Sequence, residues 1–361
     1  MTTEQDPFAF IEKSESDNCP YYTLTPEKCA RNLMNDSDLV FFSGAGFSKA
    51  WNSNYPLGFD LFSIDNIEQL NGSYNFIRLA DALKIPRPQK GSVDYAQQCY
   101  DYFSDIKFHL DIYKRYPSLM LTTLDETTIH QFEKEIRNFI VTEFVDAVGK
   151  GELNLHQKSN LNQDMIKVFS RLHDTAKNLT FLSTNYDFII EKIFFNIGLE
   201  NLNRGIVNKQ QFNINAWGTS KVNLFKLNGG FEVFNDSEGF YLDYNESDLT
   251  PNIILPSKDQ NYSNKYYKNM FAKSANSLRD ASKLVFVGYS LPFEDHTIRL
   301  LLKSFVDCLG KNKEVYVINR NLESALSVCE KVGQLYPELL ANDSNSIFAI
   351  DGSLEDLAEF M

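Results

Sequence analysis

Positive charge is scarce in this 361-residue sequence, which has 35 Lys and Arg residues against 48 Asp and Glu residues and a formal net charge of −13. No run of lysines and arginines stands out. Because sequence-independent binding to DNA or RNA depends on clustered positive charge, we expect no direct nucleic-acid partner.

Cysteine is also sparse, and its five positions are widely spaced: Cys19, Cys29, Cys99, Cys308 and Cys329. No Cys-x-x-Cys pair occurs, so the spacing of a structural zinc ribbon is missing and we expect no metal. An odd number of scattered cysteines is typical of reduced thiols in a cytosol. The cysteine pattern therefore predicts a cytoplasmic protein.

Long hydrophobic runs are missing as well. No stretch reaches the ~20 apolar residues that a membrane helix needs. The first residues, Met1 to Asp6, are acidic and lack the apolar core of a signal peptide. We therefore expect no membrane partner.

Short apolar runs are present, and they have the composition of fully buried parallel strands. The first covers residues 38–43, and five more cover 179–183, 222–227, 284–288, 314–319 and 347–350. Helical patterns follow several of them. The alternation predicts an α/β fold with a doubly wound, Rossmann-like parallel sheet.

The spacing of these runs predicts the domain organisation. Residues 31–56 and 177–361 form the sheet domain, with a small excursion over 229–280 that contains a hairpin. Residues 57–176 form a large helical insertion, because apolar residues recur there at helical period, as in Ile129, Phe132 and Ile136. Residues 1–30 have little pattern and are expected to form an N-terminal arm.

Small or polar residues follow the predicted strands at the points where they end. In a doubly wound sheet these carboxyl ends form the ligand-binding edge. The segments are Gly44-Ala45-Gly46-Phe47-Ser48, Thr184-Asn185-Tyr186-Asp187, Asn228-Gly229-Gly230, Gly288-Tyr289-Ser290-Leu291-Pro292 and Asn319-Arg320.

Each segment taken alone also has a structural interpretation. The Gly-Ala-Gly turn can serve tight packing between strand and helix, and Thr184–Asp187 can supply a helix N-cap. Asn228 beside two glycines is typical of a turn. Asp295 is expected at the N-cap of a helix that begins at His296.

Taken in order, the motifs resemble the sirtuin superfamily. The family series G-A-G-x-S, T-x-N-Y-D, K-L-x-G, G-Y-S-L-P and I-N is matched here at Gly44–Ser48, Thr184–Asp187, Lys226–Gly229, Gly288–Pro292 and Ile318–Asn319. The chain is more closely similar to the bacterial sirtuin-like proteins of antiphage defence, which lack the zinc ribbon and typically hydrolyse NAD. The resemblance spans residues 38 to about 320, without the helical insertion.

The resemblance implies NAD as substrate, no metal, and a role for each matching residue. The residues implied to bind NAD begin with Gly44, Ala45, Gly46 and Ser48 at the pyrophosphate. Gly288, Tyr289 and Ser290 are implied at phosphate or the adenosine ribose, and Asn319 at that ribose. Thr184 is also implied to bind the cofactor. Asn185 is implied beside the nicotinamide ribose, and Asp187 at the neighbouring loop or the carboxamide. The resemblance also implies a homo-oligomer and a partner such as a HerA-type ATPase or another phage-sensing protein.

One position departs from the family pattern: Asn228 stands where the family usually has a histidine that takes a proton from a ribose hydroxyl. An amide cannot act as a general base, although it can hydrogen-bond a ribose. The departure leaves a weakened hydrolase, a binding-only NAD or ADP-ribose sensor and an introduced substitution as alternatives. A protein deacylase ranks last, and among the histidines only His296 is expected on the same edge.

Overall fold

The computed structural model describes residues 21–58, 60–62, 73–119, 124–158, 161–199, 202–208, 211–212, 217, 220–246, 248–255, 260, 262–307, 312–341 and 346–361. Cys19, Cys308 and the first 20 residues of the predicted arm lie outside the described residues. Cys29, Cys99 and Cys329 are buried.

Seven strands form one sheet in which all neighbours are parallel. They are β1 Tyr22–Leu24, β2 Asp38–Ser43, β3 Asn178–Ser183, β6 Val222–Lys226, β9 Lys283–Val287, β10 Glu314–Ile318 and β11 Ser346–Ile350. Two antiparallel pairs complete the strands: β4 Ile206–Asn208 with β5 Gln211–Phe212, and β7 Val233–Asp236 with β8 Gly239–Leu242.

The strand order is β1-β11-β10-β9-β2-β3-β6. From β2 the chain adds β3 and β6 on one side, and it then returns to add β9, β10 and β11 on the other. The order therefore reverses between β2 and β9, where a doubly wound sheet leaves a crevice for ligands. The predicted parallel sheet is confirmed.

Helices cover both faces of the sheet. Their bounds are α1 Pro26–Leu33, α2 Ala45–Trp51, α3 Asn75–Ala82, α4 Tyr95–Arg115, α5 Glu126–Val148, α6 Gln163–Thr175, α7 Ile189–Asn196, α8 Lys265–Asp280, α9 His296–Lys303 and α10 Leu322–Leu335. Short 3-10 turns occupy Asp60–Phe62, Pro117–Leu119, Lys150–Leu153, Pro337–Leu339 and Glu355–Phe360.

Alternating side chains of the strands divide the apolar residues into two cores. On one face Phe41 and Phe181 pack against Phe169 of α6, with ring centroids 5.4 Å apart in each case. On the other face Phe42 and Phe286 pack below α8, α9 and α10. Burial on both faces explains why the strands are continuously apolar in sequence.

The helical insertion consists of α3, α4 and α5, and it shares one continuous core with the sheet. Phe103 of α4 stacks on Phe139 of α5 at 5.1 Å, and Phe144 of α5 reaches Phe231 of the sheet domain at 4.8 Å. The prediction extends the insertion to residue 176 and so includes helix α6, but α6 packs differently from the other insertion helices. Its apolar side packs directly on the sheet, where it contacts β3 and α7.

The N-terminal segment also differs from the predicted arm over residues 1–30. Tyr22–Leu24 pairs in parallel with β11, and Pro26–Leu33 is a helix whose N-cap Thr25 accepts a hydrogen bond from the backbone amide of Lys28. A strand of three residues is too short to show alternation, so periodicity does not predict a strand here.

The excursion over 229–280 contains the predicted hairpin, formed by β7 and β8. Its last part is helix α8, which lies on the sheet through Tyr266, Tyr267 and Met270. Across the described ranges, none of the helices combines the length and apolar character needed to cross a membrane. The same ranges hold no cluster of His, Cys, Asp and Glu side chains that could bind a metal ion.

Because insertion and sheet share one core, Phe139→Ala should destabilise the whole molecule. Loss of this buried ring should lower the free energy of unfolding by about 3–5 kcal/mol. Urea unfolding followed by tryptophan fluorescence tests this, since Trp51 and Trp217 both lie outside the insertion. Phe360→Ala, at a ring that is 42% exposed, is the matched control and should cost less. A tryptophan transition that does not move in Phe139→Ala would contradict the shared core.

Candidate functional site

A cleft of about 640 Å³ opens where the strand order reverses. Loops after β2, β3, β6, β9 and β10 form one wall. Of the twelve residues that the sequence predicts for the site, eleven line it: Ala45, Gly46, Ser48, Thr184, Asn185, Asp187, Asn228, Gly288, Tyr289, Ser290 and Asn319. The twelfth, Gly44, contributes its carbonyl oxygen to a hydrogen bond with a lining residue.

Two glycines let the loops after β2 and β9 touch. Gly288 has a φ of +59°, and a Cβ there would lie 2.2 Å from the backbone nitrogen of Phe47. A Cβ on Gly46 would lie 2.7 Å from the Cα of Gly288. Only glycine fits both places.

The amides of the Gly-Ala-Gly turn are partly used within the protein. The Gly44 amide donates to the Val287 carbonyl at 3.2 Å, and the Gly46 amide donates to the Gly288 carbonyl at 2.9 Å. The two glycines thus join neighbouring strand ends. Contact of this turn with a pyrophosphate stays a prediction, with Ala45 and Ser48 at the cleft surface.

The Asn185 side chain has a fixed orientation. Its Nδ2 donates to the Gly44 carbonyl at 2.9 Å and to the Ser48 Oγ at 2.8 Å. A carbonyl oxygen only accepts hydrogen bonds, so the amide nitrogen must face Gly44. Within the described part of the chain Oδ1 accepts no hydrogen bond, and it is the polar atom that this residue offers to a ligand in the cleft.

Asp187 continues this chain of hydrogen bonds. The Ser48 hydroxyl donates to Asp187 Oδ2 at 2.5 Å, and the Ile189 amide donates to Oδ1 at 3.1 Å. Burial raises the pKa of the Asp187 carboxyl, and the Ser48 hydrogen bond and the charge of Lys226 offset part of this rise. Both oxygens are occupied, so Asp187 orients Ser48 and the start of α7.

A buried ionic cluster supports the loop from behind. Lys226 Nζ donates to the carbonyls of Tyr186 at 3.2 Å and Asp187 at 2.7 Å, and it pairs with Glu232 at 2.7 Å. Arg204, which is 1% exposed, pairs with Glu232 at 2.6 Å and Glu191 at 3.0 Å. Because removing one member would leave a buried charge unpaired, the cluster holds the loop rigidly.

Asn228 lies beside Thr184 with both ends of its amide engaged. Nδ2 donates to the Thr184 carbonyl at 3.4 Å, and Oδ1 accepts from the Tyr262 hydroxyl at 2.9 Å. The residue thus ties the loop after β6 to the loop after β3 and to the segment before α8. Its turn interpretation and its place in the cleft are compatible.

The other end of the cleft is lined by Ser290, Asn319 and Lys331. Lys331 Nζ donates to the Ser290 carbonyl at 2.9 Å, and Asn319 Oδ1 accepts from the Arg320 amide at 2.9 Å. Between them Leu291 has a φ of +49°, an unusual conformation for leucine that holds the loop before Pro292. A cation at this end favours an anionic ligand.

Sequence reasoning missed the wall that the insertion and its flanking segments supply. Tyr55, Phe62, Tyr100 and Phe144 line the cleft. Their aromatic character signals a core as readily as a binding surface, so the sequence alone does not separate the two. Tyr55 is held by a 2.8 Å hydrogen bond to Glu152, which also pairs with Lys192 at 2.8 Å.

Asp295 lies at the predicted N-cap position, before a helix that begins at His296, and its side chain has a further contact. It occupies the N-cap position of α9, but its side chain makes no capping hydrogen bond. Its Oδ2 accepts from the Tyr289 hydroxyl at 2.6 Å, and the residue lines the cleft. His296 lies next to it on α9, exposed, with its ring 5.4 Å from that of Phe293.

Comparison with known proteins gives a family similarity for the second half of the chain. Residues 179–334 match a family model described as a SIR2-like domain. The match covers less than half of the chain, from β3 into α10, and it includes the segments around Asn185, Asn228, Gly288 and Asn319. Among curated proteins, no sequence matches this one.

Solved structures of Sir2 proteins are similar at low identity. A structure on sirtuin substrate affinity has 12% identity and a TM-score of 0.40, over 92% of this chain and 96% of that one. A Sir2 protein bound to a propionylated peptide, and a Sir2 complex with a p53 peptide and NAD+, each have 12% identity and a TM-score of 0.38, over 92% of this chain and 95% of theirs.

The contact between the two glycine loops predicts a large effect of Gly288→Ala. A Cβ at this position meets backbone atoms, so we expect a loss of stability well beyond the roughly 1–2 kcal/mol of left-handed strain. Gly198→Ala is the matched control, because Gly198 has a φ of +90° and nothing within 4 Å of its Cβ position. Urea unfolding compares the two variants. Equal losses would show that the loops do not need the close approach.

The raised pKa of Asp187 predicts a pH dependence of stability. The folded protein holds this proton more tightly than the unfolded chain does, so stability falls as pH rises from the ordinary carboxyl pKa, near 3.8, through the raised value. Asp187→Asn removes that fall. The difference in free energy of unfolding between this variant and the wild type should therefore shift in favour of the variant as pH increases.

The control for this series is Asp125→Asn. Hydrogen bonds from Thr128 lower the pKa of the Asp125 carboxyl. The free energy of unfolding of Asp125→Asn, relative to that of the wild type, should therefore decrease as pH rises. Urea unfolding between pH 3 and pH 8 measures both, since the Asp125 effect lies mainly below pH 3.8 and the Asp187 effect above it. Parallel curves for Asp187→Asn and wild type would contradict the assignment.

Proposed function

We propose that this chain binds NAD in the cleft and hydrolyses it to nicotinamide and ADP-ribose. The observation that carries the proposal is the orientation of Asn185. Two hydrogen bonds hold its amide nitrogen against Gly44 and Ser48, and this leaves Oδ1 for a ligand. The similarity of residues 179–334 to a SIR2-like domain supports a nicotinamide dinucleotide as that ligand.

The cleft has the dimensions and polarity for a dinucleotide. Its volume of about 640 Å³ lies within the usual range for small-molecule sites. Lys331 lies at the end with Ser290 and Asn319, where the adenosine ribose and a phosphate are placed in this proposal. Asn185, Asp187 and Asn228 lie at the other end, which we assign to the nicotinamide riboside.

The reaction suits a site without a strong acid. The bond between ribose C1′ and the pyridinium nitrogen breaks with the electron pair moving to nitrogen, so the leaving nicotinamide is neutral without being protonated. Positive charge grows on the ribose in the transition state. A fixed amide oxygen such as Asn185 Oδ1 stabilises that charge and orients water, because its dipole needs no rearrangement.

A second candidate function is a sensor that binds NAD or ADP-ribose without cleaving it. The specific observation that favours it is Asn228, whose amide is engaged at both ends by Thr184 and Tyr262. An amide held in this way cannot take a proton from a ribose hydroxyl. The same observation places a protein deacylase last, since that reaction must activate a ribose hydroxyl.

The biological role in this proposal is antiphage defence through depletion of NAD. Uncontrolled hydrolysis would be toxic, so the proposal includes regulation by a homo-oligomer or by a partner such as a HerA-type ATPase. Tyr55, Phe62, Tyr100 and Phe144 give the insertion and its flanks a direct place in the cleft wall. Movement of the insertion on assembly would therefore change access to NAD. We place the protein in the cytoplasm, where its substrate is.

Purified protein incubated with NAD tests the proposal, with nicotinamide and intact NAD separated by chromatography. Asn185→Ala should lower the rate of nicotinamide release at least about 100-fold, the usual effect of losing one preorganised polar group. Asn178→Ala is the matched control. Asn178 lies at the opposite end of the same strand, where Nδ2 donates to Asp38 at 2.6 Å.

Asn228→His separates the two candidate functions. Activity in the chain as it stands supports the hydrolase. Nicotinamide release that appears only in Asn228→His, with NAD binding by both proteins, supports the sensor. Failure of the wild type to bind NAD by calorimetry at any protein concentration contradicts both.

A further inference from the structure

Hydrolysis by water releases a proton, and a group in the cleft that takes this proton accelerates the reaction. Among the described residues that line the cleft there is no histidine, and the carboxylates are Asp187, Glu294 and Asp295. Asn228 cannot act as a base. The inference below rests on the proposed function and identifies the group that completes it.

Two of the three carboxylates are poorly suited to this role. Asp187 accepts hydrogen bonds on both oxygens, from Ser48 and from the Ile189 amide, and its charge lies near Lys226. Glu294 is exposed at the mouth of the cleft. A base must reach the attacking water with a free oxygen and be shielded from bulk solvent.

Asp295 meets both conditions. It sits at the N-cap position of α9 without a capping hydrogen bond, and within the described residues its carboxylate has a partner at Oδ2, the Tyr289 hydroxyl at 2.6 Å. Oδ1 accepts no hydrogen bond from the part of the chain that the structure describes. The residue is half-buried and lines the cleft, so this oxygen is available to a ligand or a water.

Asp295 also lines the same cleft as Asn228, which stands at the position of the missing histidine. Tyr262 donates its hydroxyl to Asn228 Oδ1 at 2.9 Å. Burial and then the charge of Asp295 raise the pKa of the same Tyr262. Burial and then the charges of Tyr100 and Asp295 raise the pKa of Tyr186, which lies beside Asn185. Tyr289, which donates to Asp295, lies against Gly44, and the Gly44 carbonyl accepts from Asn185, so we assign the carboxylate to the nicotinamide ribose.

We propose that Asp295 is the general base of NAD hydrolysis in this chain and takes over the proton transfer that Asn228 cannot perform. The water oxygen forms a bond to ribose C1′ while the bond from C1′ to the pyridinium nitrogen breaks. The electron pair of that bond stays on neutral nicotinamide. One proton of the water moves to Asp295 Oδ1 and later passes to solvent, and ADP-ribose remains.

The surroundings of Asp295 favour its role as a base, because they raise the pKa of its carboxyl. Burial raises the pKa of its carboxyl, while the Tyr289 hydrogen bond and the charges of His296 and Arg299 offset part of the rise and Glu294 adds to it. A carboxyl with a raised pKa is a stronger base. Other groups that face it are the phenols of Tyr100, Tyr186 and Tyr262.

Steady-state hydrolysis of NAD between pH 4 and pH 9 tests this role. In the wild type, kcat should rise with pH as Asp295 loses its proton. In Asp295→Asn, kcat should fall at least about 100-fold and lose this acidic limb, while NAD affinity by calorimetry stays within about threefold. Asp36→Asn, at the opposite edge of the sheet, is the matched control and should keep the wild-type profile.

Two further variants separate catalysis from a structural effect. Tyr289→Phe removes a hydrogen bond that lowers the pKa of Asp295, so the acidic limb should move to higher pH. Asp295→Glu keeps a carboxylate and should retain the limb at reduced rate. A normal kcat in Asp295→Asn, an unchanged limb, or a loss confined to KM overturns the inference and leaves the hydrolase standing. Failure of the wild type to release nicotinamide overturns both.

Discussion

The hydrogen bonds from Asn185 to Gly44 and Ser48 are the constraint on which the site depends. They tie the end of β3 to the end of β2, and they fix the Asn185 side chain with its Oδ1 toward the cleft. Gly46 and Gly288 allow the neighbouring loops to come close enough for this arrangement. Backbone contact, and not charge, therefore shapes this wall of the cleft.

The rest of the molecule keeps that arrangement rigid. The cluster around Lys226 holds the carbonyls of the loop after β3, and the aromatic core of the insertion continues under the opposite wall. Tyr55 connects Phe144 of the insertion to Lys192 of α7, because its hydroxyl donates to Glu152, which pairs with Lys192. The loops that form the site are thus held in place by the helices and strands that flank them.

The sequence predicted the parallel sheet, and eleven of the twelve residues that it predicted for the site line the cleft, because continuous apolar runs and polar strand ends are local signals. It failed where the signal was short or shared between interpretations. The strand at Tyr22–Leu24 has three residues, and α6 has the same periodicity whether it belongs to an insertion or covers a sheet. Asp295 fits an N-cap pattern, and only tertiary contact with Tyr289 turns its side chain to the cleft.

The central claim is that Asn185 Oδ1 faces the bond between ribose and nicotinamide. A crystal structure with an NAD analogue, in which a methylene group replaces the oxygen of the nicotinamide ribose ring, tests it most directly. The account predicts this ribose beside Asn185, with Oδ1 about 3 Å from a ribose or water oxygen and the adenosine end at Ser290 and Asn319. An analogue bound in the reverse direction, or outside the cleft, would contradict it.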